Sequence, residues 1–451
     1  MASLGDSNAV YSSVKDYYGK VLESSKDLKT SACTAGAAPH AIVRKIIKTI
    51  PDAVNDKFYG CGNPIPLGIE GKDVLDLGSG SGRDCYVAAA LVGPQGSVTG
   101  VDMTDEQLQT ARENINAFGT TLGYTPKLKF VTGYIEMLES SGIAHSSIDV
   151  CISNCVINLS PNKKLVLQGV FNALRSGGEL YFSDVYADQQ LPSAVRTHDV
   201  LLGECIGGAL FTEEFEQMAV DIGFARPRVL SVGHIAINDA ELQGLVGEAK
   251  FYSITYRLFK VPQADQSMDG FVAEYQGGIE GYEGEYELDV DHVFVTGKPV
   301  QVDAATAAVL SSAWLAGFFK VSAAQTTDGL QPAASTTSTE LLMEQAYKAS
   351  SSNDDSSSCC ALKKESSGCC APKKESSRCC PPKKEASGCC APKEASSCCA
   401  PKKEASGCCP PKKESSSCCA KKESSGCCNT KTSTTDAQPK LNMLSCSNDT
   451  C

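Results

Sequence analysis

Six of the 24 cysteines lie in the first 205 residues, and four of these have surroundings that favour chemistry over simple packing. Cys155 follows an apolar run at its carboxyl end, which is where parallel-sheet folds place their reactive groups. Cys61 and Cys205 lie in the turn sequences Tyr-Gly-Cys-Gly-Asn-Pro and Gly-Glu-Cys-Ile-Gly-Gly, and Cys33 lies in a loop of small residues. Such turns predict accessible thiols, and several accessible thiols together predict a site for a soft ion.

The other two early cysteines are interpreted as packing residues. Cys151 lies inside the apolar run before Cys155, and Cys85 lies in the first turn of a predicted helix. Buried thiols of this kind are common, and the same reading stays open for Cys155. The five histidines form no His-Glu-x-x-His pair, which disfavours a zinc hydrolase and predicts an enzyme without a catalytic metal.

A glycine-rich loop follows the predicted strand Asp73–Leu77 and opens a predicted helix. It reads Asp-Leu-Gly-Ser-Gly-Ser-Gly from Asp76 to Gly82, and its glycines permit a tight turn and close approach of a ligand to the backbone. Asp102 ends the next predicted strand, 22 residues after Gly80, and at this spacing a carboxylate reaches a pair of ribose hydroxyls. The loop, its flanking elements and the carboxylate together predict a nucleotide site.

The glycine pattern favours one kind of nucleotide. A dinucleotide loop would have its third glycine at the position of Arg83, whereas the glycines here alternate. The acidic Asp76 before them suits the amino-acid head of S-adenosylmethionine better than a pyrophosphate. The residues predicted to bind this cofactor come from the loop and from the ends of the following strands: Asp76, Gly78, Gly80, Gly82, Asp102, Met103, Gln107, Ile135, Glu136 and Asn154.

Alternating strands and helices between residues 72 and 184 must position these groups. Strands are predicted at Asp73–Leu77, Ser97–Val101, Lys129–Thr132, Ile148–Ser153 and Glu179–Asp184. Thr104 is predicted to begin a helix with a capping box to Gln107, and Ser160-Pro161 to begin another that Gly177 ends. Helices between successive strands predict a parallel sheet whose ligand crevice lies at the carboxyl ends of the strands.

The second half of the globular sequence is less regular. We predict a helix at Thr212–Ile222, a strand at Phe251–Lys260 that closes the sheet, a small β-unit at Glu274–Val302 and a helix at Ala304–Phe318.

The last part of the chain is a repeat of about ten residues built on Cys-Cys pairs. Eight pairs run from Cys359-Cys360 to Cys427-Cys428 among Ser, Lys, Glu and Pro, without aromatic residues. This composition cannot bury a core and predicts disorder. Neighbouring lysines such as Lys363-Lys364 favour the thiolate form, so we hypothesise that the tail captures soft cations.

Charge and hydropathy exclude several classes of partner. The net charge of −12 disfavours nucleic acid and anionic membranes. The start of the chain, Met1 to Val14, lacks the pattern of a signal peptide, and no run of about 18 apolar residues occurs. We therefore expect a soluble, cytoplasmic monomer with reduced thiols.

Several motifs resemble those of one family, the arsenite methyltransferases, which are class I enzymes that use S-adenosylmethionine. The resemblance covers roughly residues 10 to 320 and leaves the cysteine-pair tail unexplained. It is carried by the following stretches: Tyr17-Tyr18-Gly19, Tyr59-Gly60-Cys61-Gly62, the loop 75–85, Ser153-Asn154-Cys155-Val156-Ile157-Asn158-Leu159, Glu179–Asp184, Gly203-Glu204-Cys205, Tyr256–Phe259 and Tyr275–Gly281.

The resemblance implies roles for the four cysteines. Cys155 and Cys205 would hold trivalent arsenic, with Cys61 as the third ligand in the first round. Cys33 and Cys61 would take part in a disulfide that returns arsenic to the trivalent state, and thioredoxin or glutathione would reset the enzyme. Arsenite and methylarsenite are then the expected substrates.

The expected fold is α/β: a Rossmann-like class I methyltransferase core, a small α+β C-terminal domain and a disordered cysteine-rich tail. We expect the cofactor-binding core with its N-terminal segment at 1–185 and an arsenic-binding region that completes the core at 186–262. The small domain is expected at 263–325 and the tail at 326–451. Two rival functions stay open: a methyltransferase for another small molecule, such as a quinone or sterol precursor, and a protein that sequesters soft metals through its tail.

Overall fold

The computed structural model describes residues 10–15, 17–18, 30–32, 38–262, 269–312, 314–324 and 337–351. Cys33 and the cysteine pairs from Cys359 onward lie outside these ranges, so what was predicted for them stays a prediction. Within the described ranges, no helix is long and apolar enough to cross a membrane.

A mixed sheet with helices on both sides forms the core, which confirms the predicted α/β fold. Its strands follow the order β3-β2-β1-β4-β5-β8-β7, and a short β6 pairs with the end of β5. The strands are β1 (Asp73–Leu77), β2 (Ser97–Asp102), β3 (Leu128–Thr132), β4 (Ile148–Asn154), β5 (Leu174–Ala187), β6 (Leu210–Phe211), β7 (Arg228–Ile235) and β8 (Phe251–Phe259).

The central strands are parallel because helical crossovers connect them, whereas β8 runs antiparallel to both β5 and β7. All nine residues of β8 are buried, as expected for a strand covered on both faces. The predicted strand Phe251–Lys260 is thus confirmed as β8, but the prediction that it closes the sheet is wrong, because β7 pairs beyond it.

The helices of this core pack along the sheet and connect its strands. The first, α1, includes residues 10–15. The others are α2 (Ala41–Ile47), α3 (Asp52–Asn55), α4 (Arg83–Val92), α5 (Asp105–Glu113), α6 (Ile115–Leu122), α7 (Lys163–Ala173), α8 (Ser193–Arg196), α9 (Asp199–Gly203), α10 (Thr212–Ile222) and α11 (Ala240–Val246).

Two predicted helix ends are wrong. Helix α7 begins at Lys163 instead of Ser160-Pro161, because the side chain of Asn162 accepts the Leu165 N–H and caps it. It also ends at Ala173, before Gly177, because β5 begins at the next residue. At α5 the side chain of the N-cap Thr104 makes no capping bond to the helix and bonds to Asp102 instead, and Gln107 donates to the Tyr18 carbonyl at 3.3 Å instead of closing a capping box.

A small α+β unit follows the core. It consists of β9 (Asp269–Tyr275), β10 (Glu285–Asp289), β11 (His292–Val295), β12 (Pro299–Asp303), α12 (Ala304–Leu310) and β13 (Phe319–Ala323). Strands β12, β9 and β13 form one sheet, and β10 and β11 form a hairpin. The predicted helix Ala304–Phe318 is therefore too long, since its α-helical part ends at Leu310.

A buried ion pair and a buried hydrogen bond attach this unit to the core. The Arg257 guanidinium of β8 donates to Glu179 at 2.9 Å and to the Tyr286 hydroxyl of β10 at 2.9 Å. At the neighbouring strand, Arg228 donates to Asp289 at 2.6 Å. Paired charges avoid the cost that an isolated buried charge would carry.

One further helix, α13 (Thr339–Ser351), lies in the segment predicted to be disordered. It packs along β7, the edge strand of the core sheet, and buries Met343 against the core. The apolar face of α13 consists of only a few residues and follows a polar stretch at residues 326–338, so the pattern of this helix does not stand out in the sequence. The predicted disorder is therefore wrong for residues 339–351.

Candidate active site

A cavity of about 930 Å³, its open mouth included, lies at the carboxyl ends of β1, β2 and β4. Nine of the ten residues predicted to bind the cofactor line it. The exception is Gly82, which lies beside the cavity and packs against the Phe130 ring.

The three glycines of the loop, Gly78, Gly80 and Gly82, all have a positive φ but differ in their structural roles. A Cβ at Gly78 would lie 2.3 Å from the Val156 side chain, and one at Gly82 would lie 2.7 Å from Phe130. These two permit close packing within the protein. Gly80 has nothing within 4 Å of its Cβ position and lines the cavity, so its backbone is open to a ligand.

Asp102 joins the end of β2 to the glycine loop. One carboxylate oxygen accepts the Gly80 N–H at 2.9 Å, and the other accepts the Thr104 N–H at 2.7 Å. Burial raises the pKa of Asp102, although these backbone bonds act against the rise. A carboxylate offers about four acceptor positions, and the Thr104 side chain also bonds to Asp102, so about one position remains for a ligand.

The floor of the cavity is acidic. Burial, with the nearby Asp84, raises the pKa of Asp76 well above its usual range. The Cys85 thiol donates to Asp76 at 3.1 Å, and burial also raises the pKa of this thiol, which fits the predicted packing role of Cys85. A cationic ligand would relieve the crowding of carboxylates, so the donor set suits the ammonium and sulfonium charges of S-adenosylmethionine.

Aromatic residues that were not predicted to bind the cofactor also line the cavity. Tyr11 and Tyr18 come from the N-terminal segment, Tyr59 comes from the loop after α3, and all three line the cavity. The ring of Tyr11 lies 4.7 Å from that of Tyr134. Because this segment is far from the sheet in sequence, no local pattern could have predicted the contact.

Two of the predicted arsenic ligands lie side by side. The sulfurs of Cys155 and Cys205 and a carboxylate oxygen of Asp184 all lie within 4.8 Å of one another. Within the part of the chain that the structure describes, no other His, Cys, Asp or Glu side chains form such a group of three. Cys61 packs in the same apolar cluster as Cys155 and Cys205.

The prediction that the thiols of Cys61 and Cys205 are accessible is wrong. Each of these residues is only 1% exposed, and Cys155 is 4% exposed. A turn sequence determines the local path of the chain but not whether other segments cover it. Here the loop around Cys61 lies against β4, β5 and β8, and the N-terminal segment packs over the Cys205 loop.

The backbone at two of these cysteines is strained. Cys155 has φ 60° and Cys205 has φ 64°, and only one other described residue that is not glycine, Ser146, has a positive φ. Such conformations cost on the order of 1–3 kcal/mol and cluster at functional sites. The Cys205 thiol also lies 2.9 Å from the Cys155 carbonyl oxygen, which links the two loops directly.

Asp184 and Lys163 complete the surroundings of the thiols, and sequence reasoning gave neither a role. Asp184 accepts the backbone N–H groups of Asn158 and Val185, and burial raises its pKa to about 6. Burial lowers the pKa of Lys163 to about 8, while Asp184 partly offsets the change. Asp184 could have been predicted, since it lies at the crevice end of β5 next to β4, which carries Cys155.

Two family patterns match separate parts of the chain. The pattern described as a methyltransferase domain matches residues 70–223, and the pattern described as an arsenite methyltransferase C-terminal domain matches residues 269–380. The first match covers Cys155, Cys205 and most of the residues that line the cavity, and the second begins with β9.

Whole proteins are also similar to the chain. Mouse arsenite methyltransferase is 43% identical over 321 residues, which is 71% of this chain and 85% of the mouse protein. The arsenite methyltransferase of Aquipseudomonas alcaligenes is 46% identical over 291 residues, or 64% of this chain and 84% of the bacterial protein. The crystal structure of an arsenic(III) S-adenosylmethionine methyltransferase from Chlamydomonas reinhardtii is 49% identical, with a TM-score of 0.62, and covers 66% of this chain and 100% of that one.

Proposed function

Because this chain belongs to the arsenite methyltransferase family, we propose that it methylates trivalent arsenic bound to the thiolates of Cys155 and Cys205. The chain is accordingly an S-adenosylmethionine-dependent arsenite methyltransferase. The observation that carries the assignment of residues is that Cys155 lines the cofactor cavity and also belongs to the group of thiols. Arsenic bound to the Cys155 sulfur would therefore lie next to a methyl donor bound in the cavity.

The chain binds and orients the methyl donor through its own backbone and carboxylates. Gly80 opens the backbone to the ligand, Asp102 receives the ribose hydroxyls, and Asp76 receives the ammonium group. Once bound there, S-adenosylmethionine supplies an electrophilic methyl group on a sulfonium. The tyrosines over the cavity exclude water from this group.

The acceptor site matches the chemistry of arsenic. Trivalent arsenic is soft and prefers thiolates, and arsenite exchanges each hydroxyl for a cysteine thiol with release of one water. In the first round Cys155, Cys205 and Cys61 hold the arsenic, and in the second round Cys155 and Cys205 hold methylarsenite. The lone pair of arsenic attacks the methyl carbon as the sulfonium bond breaks, so no general base is needed and positioning supplies most of the catalysis.

The first transfer leaves arsenic pentavalent, and two electrons must return to it before a second transfer. We propose that a pair of cysteine thiols, with Cys33 and Cys61 taking part, supplies them by forming a disulfide. An external thiol system such as thioredoxin or glutathione then reduces this disulfide. The expected products are mono- and dimethylated arsenicals.

Separate assays with arsenite and with methylarsenite test these roles. Cys155→Ser and Cys205→Ser should abolish methylation of both substrates, because a hydroxyl is a hard ligand. Cys61→Ser and Cys33→Ser should stop methylation of arsenite only. Cys151→Ala, inside β4, is the matched control and should methylate both.

The outcome also separates the rival functions. Equal loss with both substrates in all four Ser variants would contradict the division of roles. A wild-type chain that methylates neither arsenical, but methylates another small molecule, would contradict the proposed function itself.

A further inference from the structure

The loop that carries Cys61 is bound to the end of β4 by one side chain. The Asn154 carbonyl accepts the Gly62 N–H at 3.1 Å, and its amide donates to the Gly62 carbonyl at 3.0 Å. The same amide donates to Asp84 in the first turn of α4 at 2.8 Å. Asn154 therefore pairs with the backbone on the carboxyl side of Cys61 much as a neighbouring strand would.

The two glycines beside Cys61 make this approach possible. A Cβ at Gly60 would lie 2.7 Å from the Asn154 side chain, and a Cβ at Gly62 would lie 2.1 Å from the Ser183 hydroxyl oxygen. A side chain at either position would therefore force a neighbouring side chain to move. From β8, the Ser253 hydroxyl donates to the Cys61 carbonyl at 2.7 Å and holds the loop from another side.

The amide of Asn154 has little capacity left for a ligand. Both of its N–H bonds are used, by Gly62 and by Asp84, and its oxygen already accepts one bond. Asn154 lines the cavity, as predicted, but its polar atoms point to the loop and to α4. This arrangement disagrees with a main role in binding the cofactor.

The geometry points to Asn154 as the positioning residue for Cys61. Asn154 is the last residue of β4 and immediately precedes Cys155. The backbone at this strand end therefore positions Cys155, and the Asn154 side chain positions the Cys61 loop. The inference rests on the proposed function, in which Cys61 is a ligand in the first methyl transfer only. Loss of the Asn154 amide should then impair methylation of arsenite far more than methylation of methylarsenite.

A thiol-reactivity assay tests the positioning without arsenic. Full-length reduced protein is treated with iodoacetamide, and alkylation of Cys61 is followed by peptide mass spectrometry with Cys151, buried inside β4, as the internal reference. Asn154→Ala removes two hydrogen bonds to the loop and should raise the Cys61 rate by about tenfold or more, with Cys151 unchanged. Asn162→Ala, which removes the cap of α7, is the matched control and should leave the Cys61 rate unchanged.

Ser253→Ala provides a second route to the same loop if Asn154→Ala folds poorly. It removes the bond to the Cys61 carbonyl without touching the cavity and should also raise the Cys61 rate. Unchanged Cys61 alkylation in both variants would overturn the inference.

The kinetic test compares the two substrates in the same variants. We expect Asn154→Ala to lower kcat/KM for arsenite at least about tenfold more than kcat/KM for methylarsenite, which a general loss of stability would not do. Equal losses with both substrates and weaker cofactor binding would instead make Asn154 a cofactor ligand and overturn the inference. If Cys61→Ser methylates arsenite normally, the proposed role of Cys61 fails, whereas the alkylation rate still decides whether Asn154 holds the loop.

Discussion

Replacement of Asp102 by Asn tests the cofactor site quantitatively. Two of its four acceptor positions receive the backbone N–H groups of Gly80 and Thr104, the Thr104 side chain takes a third, and about one remains for the ribose hydroxyls. An Asn side chain retains one acceptor oxygen and places an NH₂ group where the second carboxylate oxygen accepted hydrogen bonds. At least one bond from a ribose hydroxyl to a charged acceptor is lost, at roughly 1.5–3 kcal/mol.

This loss corresponds to cofactor affinity that is weaker by about 10- to 150-fold. The folded protein should tolerate the change well, because burial raises the pKa of Asp102 and a neutral amide removes the cost of burying a charge. This gain in stability is partly offset, because one backbone N–H group loses its acceptor and faces the new NH₂ group. We therefore expect the loss to appear in binding and not in the thermal midpoint of the ligand-free protein.

Isothermal titration calorimetry with S-adenosylmethionine measures the effect, and arsenic bound per chain is measured in parallel by mass spectrometry. Asp105→Asn is the matched control, because Asp105 lies close by in the first turn of α5, accepts a hydrogen bond from the Thr132 hydroxyl and does not line the cavity. Arsenic binding should survive in both variants. Unchanged cofactor affinity in Asp102→Asn, or an equal loss in Asp105→Asn, would refute the placement of the ribose.

Two further predictions concern the tail and the attachment of the small unit. Deletion of residues 352–451, which retains α13, should lower the number of arsenic atoms bound per reduced chain, since soft cations prefer thiolates. Turnover at saturating arsenite should be nearly unchanged. An equal number of arsenic atoms bound to both forms by native mass spectrometry would contradict capture by the tail. Burial opposes ionisation of Asp289, but hydrogen bonds with His292 and Arg228 lower its pKa from 3.8 to about 2. The ionised Asp289 therefore contributes about 2 kcal/mol to the free energy of unfolding above pH 4, and this contribution is lost as the pH falls toward 2. Asp289→Asn should flatten this part of the pH profile in urea unfolding, and a slope equal to that of the wild type would show that the pairing is not responsible.

Elements with a strong local signal were predicted well. The alternating glycines and the acid 22 residues later identify the cofactor loop, because the tight turn needs residues that tolerate positive φ. Helix α10 has the predicted bounds, Thr212–Ile222, since its amphipathic pattern ends at a glycine. Helix ends with competing signals were predicted less well: at α7, Asn162 caps the helix in place of the preceding Ser160.

The sequence by itself determined which residues have the chemistry: the glycine loop, the carboxylates after the strands and the cysteines in turns. Only the tertiary structure decided that Cys155 and Cys205 lie together with Asp184, and that Asn154 faces the Cys61 loop more than the cavity. Local patterns act over a few residues, whereas burial and contact depend on segments separated by 50 residues or more, such as Cys155 and Cys205. The thiols are covered because strand ends and loops from four parts of the chain pack over them, and no single part of the sequence contains that information.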